Sequence, residues 1–251
     1  MKELLACGAI FLCLVAAGMI SLVVSARLPA RYRDDDTNNV VRLAANIFVV
    51  ASSLVLGLLI NSAKNTYEAV DRNVHAFATD LVLLDRSLRH FGPEALGVRE
   101  KLAAYVHQAV AGTWPASGAP VLEDIGAEHL LDEVGNALST IRPADPGRIE
   151  LWRRAEINYQ NVVKRRWVLI EESEGTIPKA FIVMLVTWLV LIFASYGFRA
   201  PRNAVVVTTL VVAAFLIAGS IYLVLDMDVP FSGPIQISPA PLQRAELQLR
   251  S

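Results

Sequence analysis

The sequence predicts an all-α membrane protein: four transmembrane helices, arranged two plus two, flank a soluble helical bundle. Three observations predict it. Residues 4–26, 43–63, 180–198 and 203–225 carry no charged side chain and are strongly apolar, each 19 to 23 residues long. A hydrocarbon layer of ~30 Å is crossed by about 20 helical residues at ~1.5 Å rise. Backbone in lipid must satisfy its own polar groups, so such stretches are helices. Second, residues 64–179 hold 31 of the 47 Lys, Arg, Asp and Glu side chains, 17 acidic and 14 basic, which marks a near-neutral aqueous module. Third, no glycine or proline lies between Gly57 and Gly92, so the second span continues beyond the bilayer as one long rod.

These features divide the chain into a first helix pair (1–63), a soluble helical domain (64–179), a second helix pair (180–225) and a Pro-rich C-terminal strap (226–251). An apolar content of 54% is too high for one ordinary soluble domain, and the membrane accounts for the excess. A net charge of −1 with no basic face argues against nucleic acid as a partner.

The first span begins like a secretory signal, with Lys2, an apolar run and Val24-Ser25-Ala26 before Arg27. Its 23 uncharged residues exceed the ~7–15 of a signal core, so it is expected to stay as a membrane helix. Cys7 and Cys13 both lie inside it, and their spacing turns them to different sides of a helix. They are expected to be packing or lipid-facing thiols. Asp34-Asp35-Asp36 follows in the loop among Arg27, Arg31, Arg33 and Arg42. Three consecutive carboxylates do not reproduce the spaced oxygens of a calcium loop, so this run reads as a solvated turn and no metal site is assigned.

Beyond the second span, Tyr67, Val70, Val74, Phe77, Leu81, Leu84, Leu88 and Phe91 repeat at alternating spacings of three and four. That is the seam of helices packed at a shallow angle, within this chain's own bundle or, as the alternative, in an intermolecular coiled coil. Its partners follow in order. A helix near residues 94–110 offers Val98, Leu102, Tyr105 and Ala109. A loop at 113–120 contains Trp114, Pro115 and Pro120. A helix from about Glu123 offers Ala127, Leu131, Val134, Leu138 and Ile141. After Pro143 and Pro146, a fourth offers Trp152, Tyr159, Val163 and Ile170. Gly175-Thr176-Ile177-Pro178 re-enters the membrane, with Thr176 as N-cap and Pro178 in the first turn. After the last span, Asp226-Met227-Asp228-Val229-Pro230-Phe231-Ser232-Gly233-Pro234 predicts an extended strap, ending in an amphipathic stretch at 242–249.

On the second span, Asn46, Ser53, Gly57 and Asn61 share one helical face, with Val50 between them, and Lys64, Glu68 and Asp71 continue the same stripe. Small and polar residues on one membrane face permit close helix packing or line water. In the second case Asn46 and Asn61 are hydrogen-bonding positions and Val50 an apolar constriction. Asp226 and Asp228 stand at the membrane edge, expected to anchor through N–H groups or through Arg199 or Arg202. The histidines, His75, His90, His107 and His129, are scattered, and no HExxH, Gly-rich phosphate loop or nucleophile elbow is present. No enzyme and no cofactor is expected.

Two spans, a helical middle with Tyr105 and Trp114-Pro115, Arg165-Arg166 before Gly175-Thr176-Ile177-Pro178, two more spans and the Asp228-x-Pro230-Phe231-Ser232-Gly233 ending resemble the bestrophin-like family of bacterial membrane proteins of unknown function. That family is distantly similar to the bestrophin anion channels. The resemblance covers nearly the whole chain, and residues 225–233 are its most specific part. It implies a pentamer with a cytoplasmic helical middle and an anion pore lined by the second span. The bestrophins' aromatic neck is not matched, because Phe48 is the one aromatic residue in 43–63. Their acidic calcium clasp after Pro-Phe is absent too, since no acid follows Phe231 until Glu246.

Flanking charge leans the same way. Arg27, Arg31, Arg33, Arg42, Arg199 and Arg202 fall on one side, against a slightly larger set headed by Lys2, Lys64, Arg72 and Lys179 on the other, placing middle and termini in the cytoplasm of a bacterial inner membrane. The expectation is therefore a homo-oligomeric channel for small ions, with Asn46, Val50, Ser53, Gly57 and Asn61 along the pore and Asp226, Asp228, Pro230, Phe231 and Gly233 as the structural motif. The rival expectation is a non-conducting, membrane-anchored helical module that senses or scaffolds through its bundle.

Overall fold

The computed structural model describes residues 2–27, 35–115, 120–122, 124–173, 175, 177–198 and 200–250. Among them every regular element is helical. In chain order these are α1 (Lys2–Arg27), α2 (Asp35–Phe91), α3 (Leu96–Thr113), α4 (Ile125–Thr140), α5 (Pro146–Ser173), α6 (Lys179–Gly197), α7 (Ala204–Met227) and α8 (Ala240–Arg250). A 3₁₀ turn, Pro93–Ala95, precedes α3. The four expected spans lie on α1, α2, α6 and α7, the described helices long and apolar enough to cross a membrane.

Two compact units emerge: Met1–Asn65 with Thr176–Asp228, and Thr66–Gly175 with Val229–Ser251. α2 contributes its first half to one and its second half to the other. No proline interrupts it, and Gly92, at φ 106°, ends it in a conformation that only glycine adopts cheaply.

In the membrane unit, α1 packs against both α6 and α7. Glycines allow the approach. A Cβ on Gly197 would stand 2.3 Å from the Gly18 carbonyl oxygen, so this contact is backbone on backbone. Leu14, Leu185, Ala214 and Ile221 fill the core beside it, and α2 joins through Leu59 and Ala63. Cys7 is buried and Cys13 exposed, as their helical spacing requires. Arg202 donates to the carbonyls of Leu22 (3.5 Å) and Val23 (3.2 Å), closing the exposed C-terminal end of α1.

The bundle unit is built on the predicted seam. Val70, Val74, Phe77, Leu81, Leu84, Leu88 and Phe91 are all buried, and Tyr67 packs at its end. Val98, Leu102 and Tyr105 of α3 and Ala127, Leu131, Val134 and Leu138 of α4 meet it. The seam therefore packs inside its own chain. The fourth helix differs from expectation. Its buried positions are Ala155, Val162, Arg166 and Leu169, whereas Trp152, Tyr159 and Val163 sit half-buried beside the core. The aromatic residues stay at the rim because each carries a polar tip. Trp152 Nε1 donates to the Leu138 carbonyl (3.1 Å), and the Tyr159 hydroxyl donates to that of Leu131 (3.2 Å). Gly135 makes room for Tyr159, whose hydroxyl oxygen a Cβ there would approach to 2.3 Å.

Asp124 caps α4 by accepting from Gly126 N, and Glu123, expected near this start, lies outside the described residues. So do Thr176, Arg31, Arg33, Arg199, Asp34 and the loop residues 116–119, and the side chains of Asp35 and Asp36 are likewise outside them. Pro178 precedes α6 with extended backbone rather than entering its first turn; its carbonyl accepts from Phe181 N at 3.0 Å. The tail bends at residues 232–235 and again at Pro239, with only residues 236–238 free of turns between them, so the expected extended strap is a bent segment that then turns helical. Pro241 occupies the first turn of α8, where its missing N–H costs nothing, and Ser238 Oγ accepts from Ala240 N (3.3 Å).

Candidate functional site

Helical geometry separates α2 into distinct faces within the membrane unit. Ala45, Ser52, Leu59 and Ala63 are buried against their own chain. At about 100° per residue, Asn46, Val50, Ser53, Gly57 and Asn61 form a stripe centred roughly 130° from that face. Every member of the stripe is exposed, with Val50 70% accessible. Nothing lies within 4 Å of a Cβ built on Gly57. Ile47 and Leu58 extend the exposed surface as an apolar flank.

The five positions are thus brought onto one surface that the other described residues leave open. Ser53 Oγ donates to the Val49 carbonyl at 2.8 Å, satisfying its hydroxyl within the helix. Neighbouring Ser52 is the contrast: it is buried and its Oγ has no partner among the described residues. It lines a cavity of about 360 Å³, walled by Leu185, Phe193, Leu210 and Ile217 of α6 and α7.

The Asp226 to Gly233 motif works as an anchor on each side of the unit boundary. Asp226 is buried at the end of α7 and accepts from the Tyr222 hydroxyl (3.3 Å). Asp228 caps the same helix, and its carboxylate accepts from Ile177 N (3.4 Å), tying the start of α6 to the end of α7. The expected pairing with Arg202 does not occur. That residue stands before the other end of the 24-residue α7, ~35 Å away at ~1.5 Å per residue.

In the bundle unit, the Pro230 carbonyl accepts from Ile237 N (2.9 Å), and Gly233 bends the chain between them at φ 90°. Buried Phe231 meets the Trp114 ring edge-on at 5.6 Å. Trp114 Nε1 donates to the Ile237 carbonyl (2.8 Å), so the Trp114-Pro115 turn holds the tail. Arg89 adds a bond to the Gln248 carbonyl on α8 (2.7 Å).

Two buried charged groups escaped the sequence reading. Asp85 receives Arg89 Nε (2.6 Å) and Arg99 Nε (2.7 Å) in the interior of the bundle. Its i, i+4 spacing from Arg89 beside a seam position was the available signal. Arg166 lies over the Tyr105 ring, 5.8 Å from its centre, and donates through Nη2 to the Asp124 carbonyl (3.3 Å). Burial holds the Tyr105 phenol above its ordinary pKa, with Arg166 opposing the shift. Asp124 is held below the ordinary range by hydrogen bonds from Gln108 and Gly126. Among the described residues no His, Cys, Asp and Glu grouping is suited to a metal ion.

The chain matches the Bestrophin-like domain over residues 12–242. No curated protein matches it. Solved structures of a bacterial bestrophin homologue from Klebsiella pneumoniae share the fold. One single-residue variant superposes with a TM-score of 0.72 at 13% identity, covering 99% of this chain and 97% of that one. A second gives 0.69 at 13% identity over 96% of each chain, and a third 0.68 at 14% over 97% of each.

Proposed function

Since this chain belongs to the Bestrophin-like family of membrane proteins, we propose that it forms a homo-oligomeric channel for small anions, with α2 facing the shared axis. One observation carries the reading. The Asn46, Val50, Ser53, Gly57 and Asn61 stripe is exposed on the single chain, although it lies on an apolar helix that buries its opposite side. Polar amides facing lipid are unfavourable, so they call for water or a protein neighbour. A closed ring of copies supplies both. In that ring Asn46 and Asn61 hydrogen-bond the permeating ion or its water, and Val50 forms the apolar constriction between them.

By family likeness the ring is a pentamer in a bacterial inner membrane, with bundle and termini in the cytoplasm. No catalytic role is assigned to any residue. Purified protein in liposomes is expected to pass chloride, with Asn46→Leu reducing the current and Val50→Asn increasing it. Absence of flux from well-reconstituted oligomer overturns the proposal and favours the non-conducting scaffold.

A further inference from the structure

A groove of about 390 Å³ runs between α4 and α5 of the bundle, apart from the α2 stripe. Leu131, Trp167 and Ile170 line it, Arg166 reaches it from the core, and Glu128 and Asp132 border it. Its chemistry is unusual for a bundle surface in three respects.

Arg166 is only 8% exposed, yet its Nη1 has no hydrogen-bond partner among the described residues. A buried guanidinium is stable when its donors meet acceptors, and an unmet one favours an incoming oxygen. Arg166 also borders a second, partly open pocket of about 40 Å³, enough for a water or two, so the groove's ligand must compete with solvent for this donor.

Glu128 and Asp132 stand one turn apart on α4, both exposed and without an ion-pair partner among the described residues. Like charges at this spacing weaken a helix, and a cation between them relieves the repulsion. Finally, Trp167 is 55% exposed and Ile125, beside it in the groove wall, 82% exposed. An aromatic and an aliphatic side chain around a concave surface offer an apolar contact.

We propose that this groove binds a small zwitterion, a free amino acid with an apolar side chain. The carboxylate meets Arg166, the ammonium meets Glu128 and Asp132, and the side chain lies against Leu131, Trp167 and Ile170. The site is independent of ion conduction, and its failure leaves the channel reading untouched.

Calorimetric titration of the purified full chain with leucine, isocaproate and isoamylamine tests it. Leucine should bind saturably, and each analogue, lacking one charge, should bind about tenfold or more weakly. The paired substitution Glu128→Gln with Asp132→Asn should weaken leucine about tenfold without weakening isocaproate, and Arg166→Met should remove the preference for leucine over isoamylamine. The acidic positions are exposed, so their variant folds and decides the matter even if Arg166→Met does not. The site is excluded by no saturable leucine binding up to about 10 mM, by binding unchanged in the acidic-pair variant, or by analogues that bind as tightly as leucine.

Discussion

α2 is one continuous helix with two opposite surfaces to account for. In its second half the seam from Val70 to Phe91 is buried in one core with residues of α3, α4, α5 and the tail. In its first half the stripe from Asn46 to Asn61 is wholly exposed. The same helical geometry therefore yields a completed core in the bundle unit and an open face in the membrane unit. An apolar seam finds its partners within the chain. A polar stripe on a membrane helix is stable only with a partner or water that the single chain does not provide.

Substitutions should separate the two halves. The largest effect is expected in the seam, where Leu84→Ala removes a fully buried side chain and should cost about 2–5 kcal/mol in chemical unfolding followed by circular dichroism. Asn46→Leu, on the stripe, should change the unfolding free energy by no more than about 0.5 kcal/mol. Comparable losses at both positions would erase the distinction between them.

Glycines extend the contrast. Gly197→Ala drives a Cβ into the Gly18 backbone, and the separation of α1 from α6 should cost about 1–3 kcal/mol in a thermal melt. Gly57→Ala meets open space and should be neutral or stabilising by up to about 1 kcal/mol, through helix propensity alone.

Acid should act on the bundle more gently. The carboxyl of Asp124 is held low by Gln108 and Gly126, and that of Glu133 by Lys101. A group whose folded pKa is depressed contributes stability above its unfolded value and loses it as pH falls through the folded one. Bundle stability should therefore decline below about pH 4, more steeply in wild type than in Asp124→Asn. At the other extreme, raised Tyr105 contributes fully below its unfolded value near ~10 and progressively less as pH climbs toward the folded one, so alkali should loosen the same core. Tyr105→Phe should flatten that alkaline limb.

Much of the architecture was legible because two periodicities dominate the chain. Uninterrupted apolar length marks α1, α6 and α7, and the alternating three-four spacing marks the aqueous half of α2. The exposed stripe was legible as a face, since helical angle alone groups Asn46 with Asn61. What covers that face is not encoded in any local spacing. Arg166 was harder to see. A charged residue at a seam position on α5 reads as surface, and only the packed neighbours Tyr105 and Asp124 reveal a place for it indoors. The amphipathic stretch at 242–249 marks most of α8, but its helical start was hidden behind Pro239 and Pro241, which suggest extension until their position at a helix start is known.

The most direct test of the central claim is chemical access to the stripe in conducting protein. In a background with Cys7→Ala and Cys13→Ala, Val50→Cys and Leu58→Cys would each be reconstituted and treated with a charged thiol reagent. Both parent residues are exposed on the single chain, but they lie about 80° apart around α2. The reagent should abolish most of the current through Val50→Cys and leave Leu58→Cys unaffected. Equal modification at both positions, or current untouched at Val50→Cys, would contradict the claim.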